Sequence, residues 1–221
     1  GLMFEKDEDA IIVRGKLKAG VYNVPGNISS QFISGLIFAL PLLGSQSRIN
    51  IIPPVESRPY IFMTLQAVER FGIHYTATGD SITICGGAYG CSDVQVEGDF
   101  SNAAFLDAFN LIGGDVSVEG LDDGSLQGDK VYKSMFSDME KADGKFKGDI
   151  SQCPDLGPVL MALMALRGGG VLTGTKRLKA KESDRGQAMA EELRKFGIDT
   201  EIEENEITVF PGKVKRPEEL L

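Results

Sequence analysis

The chain has a single histidine, His74, and only three cysteines. It has no apolar run of about 18 residues or more, the length a helix needs to cross a bilayer. It has no basic tract and no interleaving of aromatic and basic residues; its net charge is -9. Each shortage excludes something. An odd cysteine count argues against a disulfide framework and for a reducing compartment. Cys85 and Cys91 have no second pair of ligands to complete a zinc site, so no metal is expected. His74, after Phe71-Gly72-Ile73, reads as a plain strand residue. The acidic balance argues against nucleic acid as a partner. No leader of charged and then apolar residues is visible, and the expectation is a cytoplasmic protein with no membrane association.

What is present suits a globular protein. The 221 residues, 42% of them hydrophobic and 25% charged, are enough for one or two domains with real cores. An acidic protein that binds anions must gather its cations locally, which draws attention to Lys179, Lys181 and Arg185. The run Lys181-Glu182-Ser183-Asp184-Arg185 packs two cations and two acids together ahead of Gly186-Gln187-Ala188-Met189-Ala190-Glu191-Glu192-Leu193, and reads as the opening of an amphipathic helix. On a helix, a lysine and an arginine one turn apart can face one anion. The triplet Ser29-Ser30-Gln31 opens a second, apolar helix over Phe32–Leu43. Hydroxyls at a helix N-terminus, with free backbone N–H groups behind them, suit a phosphate. On the residues alone each motif has a plainer reading: a serine cap on a core helix, and a solvated, internally paired helix end.

An internal repeat organises the chain. Val68-Glu69-Arg70-Phe71-Gly72-Ile73 resembles Glu192-Leu193-Arg194-Lys195-Phe196-Gly197-Ile198, and each precedes an alternating strand, Ser81–Ile84 and Glu206–Val209. Ile11-Ile12-Val13 echoes the end of such a unit. A second element recurs as Gly26-Asn27-Ile28-Ser29, Gly98-Asp99-Phe100-Ser101 and Gly148-Asp149-Ile150-Ser151. Each unit then reads strand, helix, strand, helix, hairpin. The interval from Gly26 to Gly72 equals that from Gly98 to Gly144. The interval from Gly144 to Gly148 is much shorter than that from Gly72 to Gly98, so the middle unit lacks a hairpin of roughly 22 residues. The first helices, Gln31–Leu43 and Asp155–Leu166, are apolar nearly all round and are expected to be buried on every side. The second, Pro59–Phe71 and Ser183–Phe196, are amphipathic.

Five stretches together carry a resemblance to a known family. They are Gly26-Asn27-Ile28-Ser29-Ser30-Gln31-Phe32, Ser57-Arg58-Pro59-Tyr60, Ser125-Leu126-Gln127-Gly128-Asp129, Cys153-Pro154-Asp155-Leu156 and Lys181 to Arg185. In this order they resemble the 5-enolpyruvylshikimate-3-phosphate synthases, over nearly the whole of this chain but only part of the family's length. The resemblance implies an α/β (α+β) fold of repeated βαβαββ units, an inside-out α/β barrel of the enolpyruvyl transferase type, here incomplete. Residues 1–97 would be the later part of one domain and 98–221 the earlier part of the second. It implies transfer of the enolpyruvyl group of phosphoenolpyruvate to the 5-hydroxyl of shikimate 3-phosphate, with release of phosphate and no cofactor. The partners are those two small molecules, and the protein is expected to be a monomer.

The resemblance also implies roles for individual residues. Ser29, Ser30, Gln31, Ser57, Asp155 and Lys181 would bind shikimate 3-phosphate, and Gln31 and Arg185 phosphoenolpyruvate. Asp155 and Glu182 would be the acid–base pair. The 5-hydroxyl must lose a proton as it attacks C2 of phosphoenolpyruvate, and C3 must gain one; the tetrahedral intermediate then expels phosphate. Tyr60 could stack near the sugar-like ring. Phe62 replaces a common acid and reads as a packing change. Arg177 stands where many relatives have asparagine. Ser125 to Asp129 reads as a structural turn, and Cys153 as a bystander. Relatives carry further parts not found here: a Lys-Ser pair with an arginine, an Asn-Ala-Gly-Thr loop, an Asp-His-Arg motif and a final lysine. The expectation is that this polypeptide alone is catalytically incompetent. The alternatives are a UDP-N-acetylglucosamine enolpyruvyl transferase, which shares fold and donor, and a non-catalytic fragment retaining the fold. A dinucleotide-binding enzyme is disfavoured, because Gly168-Gly169-Gly170 follows a helix and lacks the fingerprint.

Overall fold

The computed structural model describes residues 1–142, 146–180 and 183–217. The chain divides into two compact units. One comprises residues 1–56 and 60–94, the other 57–59 and 95–221.

In the first unit, β1 (Leu2–Lys6) and β2 (Ile11–Gly15) form a two-stranded antiparallel hairpin whose residues are all exposed. Then come β3 (Val21–Pro25), α1 (Ser30–Ala39) with a 3₁₀ turn over Leu40–Leu43, β4 (Ser47–Ile52), α2 (Arg58–Arg70), β5 (Tyr75–Thr78) and β6 (Ser81–Ile84). The sheet order is β3-β4-β6-β5; β3 runs parallel to β4, and the other pairs are antiparallel. Strict alternation sets its packing. Ser47, Ile49 and Ile51 of β4 point inward with Ile82 and Ile84 of β6, against Ile33 and Ile37 of α1 and Ile61, Leu65 and Val68 of α2. One sheet face is therefore covered by helices while alternate residues remain outward.

The second unit opens with α3 (Phe100–Leu111), a 3₁₀ turn over Gly128–Val131 and α4 (Tyr132–Lys141). It continues with β7 (Phe146–Asp149), a 3₁₀ turn over Pro154–Leu156, α5 (Gly157–Leu166), β8 (Gly170–Thr173) and a 3₁₀ turn over Lys176–Ala180. It closes with α6 (Arg185–Lys195), β9 (Thr200–Ile202) and β10 (Glu206–Val209). The sheet order β7-β8-β10-β9 repeats the first, again with one parallel pair and two antiparallel ones. Its core joins Leu172, Ile207 and Val209 of the sheet to Leu160, Met161 and Met164 of α5 and to Phe100, Tyr132 and Phe136 of α3 and α4.

Three expectations need correction. The first apolar helix is not buried all round: Phe32 is 59% and Phe38 47% exposed. It also ends at Ala39, because Pro41 offers no N–H to continue the ladder and the chain tightens into a 3₁₀ turn. The middle segment carries helices without the expected strands: among the described residues no strand lies between β6 and β7. Finally, α6 begins at Arg185 rather than at the start of the charged run, with Asp184 as its cap. Among the described residues no helix is long and apolar enough to cross a membrane.

Candidate functional site

In the first unit the chain passes from the end of β3 to the start of α1 through Gly26-Asn27-Ile28-Ser29. The Gly26 N–H donates to the Ile52 carbonyl (2.9 Å), and its own carbonyl accepts from the Glu56 N–H (3.1 Å). A Cβ on Gly26 would stand 2.9 Å from both Ile51 Cγ2 and the Pro54 carbonyl oxygen, so only glycine fits this crossing. Ser29 then adopts extended backbone, and its Oγ accepts from the Gln31 N–H at 3.2 Å, which is an N-cap. Ser30 is buried and Gln31 exposed. The positive end of α1 thus carries one inward hydroxyl, one capping hydroxyl and one outward amide.

In the second unit the counterpart crossing is built differently. At the end of β7, Asp149 Oδ1 accepts from the Ser151 N–H (2.9 Å), and the Ser151 hydroxyl reaches Asp149 Oδ2. Pro154 fixes the 3₁₀ turn that carries Asp155. The Asp155 carboxylate accepts from Arg185 Nη1 at 2.5 Å, and both side chains are about one-third exposed. Arg185 is the first residue of α6, held there by Asp184 Oδ1, which accepts from the Gln187 N–H at 3.1 Å. Two predicted site residues 30 positions apart are therefore one ion pair.

Ser57 belongs to this same unit. Its N–H donates to the Ser151 carbonyl (3.3 Å), and the next N–H, of Arg58, donates to Gln152 Oε1 (2.9 Å). Ser57 is the only non-glycine residue with positive φ (51°) among those described. Its hydroxyl accepts from Arg177 Nη1. Arg177 lies in the 3₁₀ turn after β8 and is almost fully buried. Lys179 of the same turn is exposed. Lys181 and Glu182 lie outside the described residues, as do the contacts expected of them.

The neighbouring groups fix what this region can do chemically. Burial, with the charges of Asp129, Asp149 and Asp155 adding to it, pushes the Cys153 thiol up to about 12. At neutral pH it stays protonated and is no nucleophile. Within Ser125 to Asp129, Gln127 is a clamp: its Oε1 accepts from the Phe100 N–H and its Nε2 donates to the Gly98 carbonyl, both at 2.8 Å. Among the described residues no group of three or more His, Cys, Asp or Glu side chains could hold a metal ion. Sequence reasoning missed Gln152 and the bond made by Arg177. Gln152 gave no signal, since its partner is 94 residues away. The replacement at Arg177 was the available clue.

The fold has close counterparts among solved structures. An EPSP synthase from Acinetobacter baumannii superposes with a TM-score of 0.68 at 24% identity, over 97% of this chain and 55% of that one. The enolpyruvyl transferase NikO from Streptomyces tendae superposes at 0.58 and 13% identity, over 95% of this chain and 55% of that one. The architecture is that of the enolpyruvyl transferases. Sequence then narrows the class. Residues 5–219 match the family described as EPSP synthase (3-phosphoshikimate 1-carboxyvinyltransferase), and the chain belongs to that family. A 3-phosphoshikimate 1-carboxyvinyltransferase of Clostridium acetobutylicum is 40% identical over 218 residues, covering 92% of this chain and 51% of the relative. One from Brachyspira hyodysenteriae is 37% identical, covering 95% and 54%. The chain spans about half the length of the curated relatives it matches.

Proposed function

We propose that this chain contributes to a 3-phosphoshikimate 1-carboxyvinyltransferase the residues that hold shikimate 3-phosphate and the carboxylates that move its protons. Residues 1–97 belong to the later part of one domain and 98–221 to the earlier part of the second. The observation that carries the reading is the Asp155–Arg185 pair, which joins the proposed base to the proposed anion-binding cation. A guanidinium has five donors in a planar fork, so one group can orient the aspartate and still grip a carboxylate or phosphate. Asp155 takes the proton of the attacking 5-hydroxyl, and Glu182 serves the C3 proton. Ser29, Ser30, Ser57 and Lys181 hold the 3-phosphate, Gln31 reaches both substrates, and Arg185 binds phosphoenolpyruvate. Both substrates are small anions. The protein works as a cytoplasmic monomer, with neither nucleic acid nor membrane as partner.

Ligand choice tests this reading. The chain is expected to bind shikimate 3-phosphate in preference to UDP-N-acetylglucosamine, and Asp155→Asn to weaken that binding. Preference for the UDP-sugar would assign the chain to the rival transferase. Indifference to both would leave a scaffold that only keeps the fold.

A further inference from the structure

The Arg177–Ser57 contact joins residues 120 positions apart, and both are buried: Arg177 is 7% and Ser57 1% exposed. Its polarity is fixed by chemistry. A guanidinium donates only, so the serine oxygen must accept. A hydroxyl has one proton and two lone pairs. With one lone pair committed to Arg177, the hydroxyl keeps its proton and one lone pair, and the bond fixes the directions in which they point. A neutral amide at position 177 could either donate or accept, and would leave the hydroxyl free to turn.

The surroundings hold that hydroxyl in place. Ser57 has the left-handed backbone conformation that a serine seldom adopts. The backbone bond to Ser151 and the bond from Arg58 to Gln152 pin it on either side. Gly128 closes against the same turn: a Cβ there would meet the Gln152 carbonyl oxygen at 2.9 Å and Pro59 Cγ at 3.0 Å. A strained residue persists only where its neighbours over-determine it, and such residues gather at ligand sites.

We propose that Arg177 is a positioning residue that orients the Ser57 hydroxyl, so that its proton is directed at an anionic oxygen of the ligand. The proposal rests on the reading above, in which Ser57 meets the 3-phosphate. It makes Arg177 a determinant of phosphate recognition through Ser57.

The test is a calorimetric comparison of shikimate 3-phosphate and shikimate, with thermal stability measured alongside. Arg177→Gln is expected to lower affinity for the phosphorylated ligand by roughly tenfold, the effect of one hydrogen bond to a charged group, while affinity for shikimate stays within about twofold. Arg177→Lys, still a pure donor, should restore most of the difference. In a Ser57→Ala background, Arg177→Gln should have no further effect. Equal weakening of both ligands, or a lowered melting temperature with unchanged affinities, would make Arg177 a structural staple and overturn the proposal. If Arg177→Gln does not fold, Ser57→Ala decides: unchanged affinity for shikimate 3-phosphate overturns it. Ser29→Ala separates the two levels. If it weakens binding while the Arg177 variants do not, only the role of Arg177 fails. If the unaltered chain binds no shikimate 3-phosphate, the underlying reading fails as well.

Discussion

The two four-stranded sheets share one topology, yet their first helices live in different surroundings. In the first unit, α1 turns Ile33 and Ile37 onto the sheet and leaves Phe32 and Phe38 outward. In the second, α5 buries Val159, Leu160, Met161, Leu163, Met164 and Ala165. The difference lies in what covers the far side. The α5 helix shares its core with Phe100 and Ala103 of α3 and Tyr132 and Phe136 of α4, whereas the core around α1 draws on its own sheet, α2 and flanking loop residues. An apolar helix can be buried on every side, but its neighbours decide whether it is. The starts of the two helices differ as well. Ser29 caps α1 through its side chain, while α5 has no side-chain cap and is led in by the prolines and Asp155.

Paired substitutions sharpen this contrast. Leu160→Ala in α5 should cost about 2–5 kcal/mol, the usual penalty for emptying a closed core site. Phe38→Ala in α1 should cost less than about 1 kcal/mol, since much of its ring already meets solvent. Urea midpoints with unchanged slopes would measure both, and equal costs would erase the distinction. Glycines give the next effect. A Cβ on Gly174, at φ 73°, would stand 2.4 Å from both Asp149 Oδ1 and the Ser151 nitrogen, so Gly174→Ala should destabilise by more than about 2 kcal/mol. Within α1, a Cβ on Gly35 meets nothing within 4 Å. Gly35→Ala should therefore stabilise by about 0.5–1 kcal/mol through helix propensity alone.

Alkali should also divide the units. In the folded second unit the Cys153 thiol ionises only at about 12, whereas its ordinary value is 9.0. Between those values the folded state holds a proton that the unfolded state has lost, so stability falls as pH rises through this window. Burial and the bond to Asp107 raise the Tyr132 hydroxyl in the same direction. Tyr132 is also the one tyrosine of the second unit, so the part of the ultraviolet ionisation signal that Tyr132→Phe removes should report alkaline opening there. Cys153→Ala should reduce the slope of stability against pH above about pH 9; an unchanged slope would deny the thiol this role. At pH 8, Cys85 and Cys91 are exposed and should react with a thiol reagent in the native protein, while Cys153 waits for unfolding.

What the sequence made legible was local. Alternation in Ser81–Ile84 and Glu206–Val209 marked β6 and β10, and the repeated Phe-Gly-Ile punctuation marked the ends of α2 and α6. Two boundaries that hydrophobic pattern alone misplaces do carry a local signal: Pro41 for the end of α1, and Asp184 as a cap ahead of Arg185. The side-chain partnerships were out of reach. Asp155 with Arg185, Ser57 with Arg177 and Arg58 with Gln152 are joined across long stretches of chain, and nothing in spacing or periodicity encodes such pairs. Composition overstates the burial of α1 for the same reason: it describes a helix and not the elements around it.

The most direct measurement is a calorimetric titration of the chain with shikimate 3-phosphate, repeated on Lys181→Ala. Saturable binding that the substitution abolishes is the predicted result, and it would assign the phosphorylated substrate to this chain. Binding unaffected by Lys181→Ala, or no binding by the unaltered chain, would contradict the account.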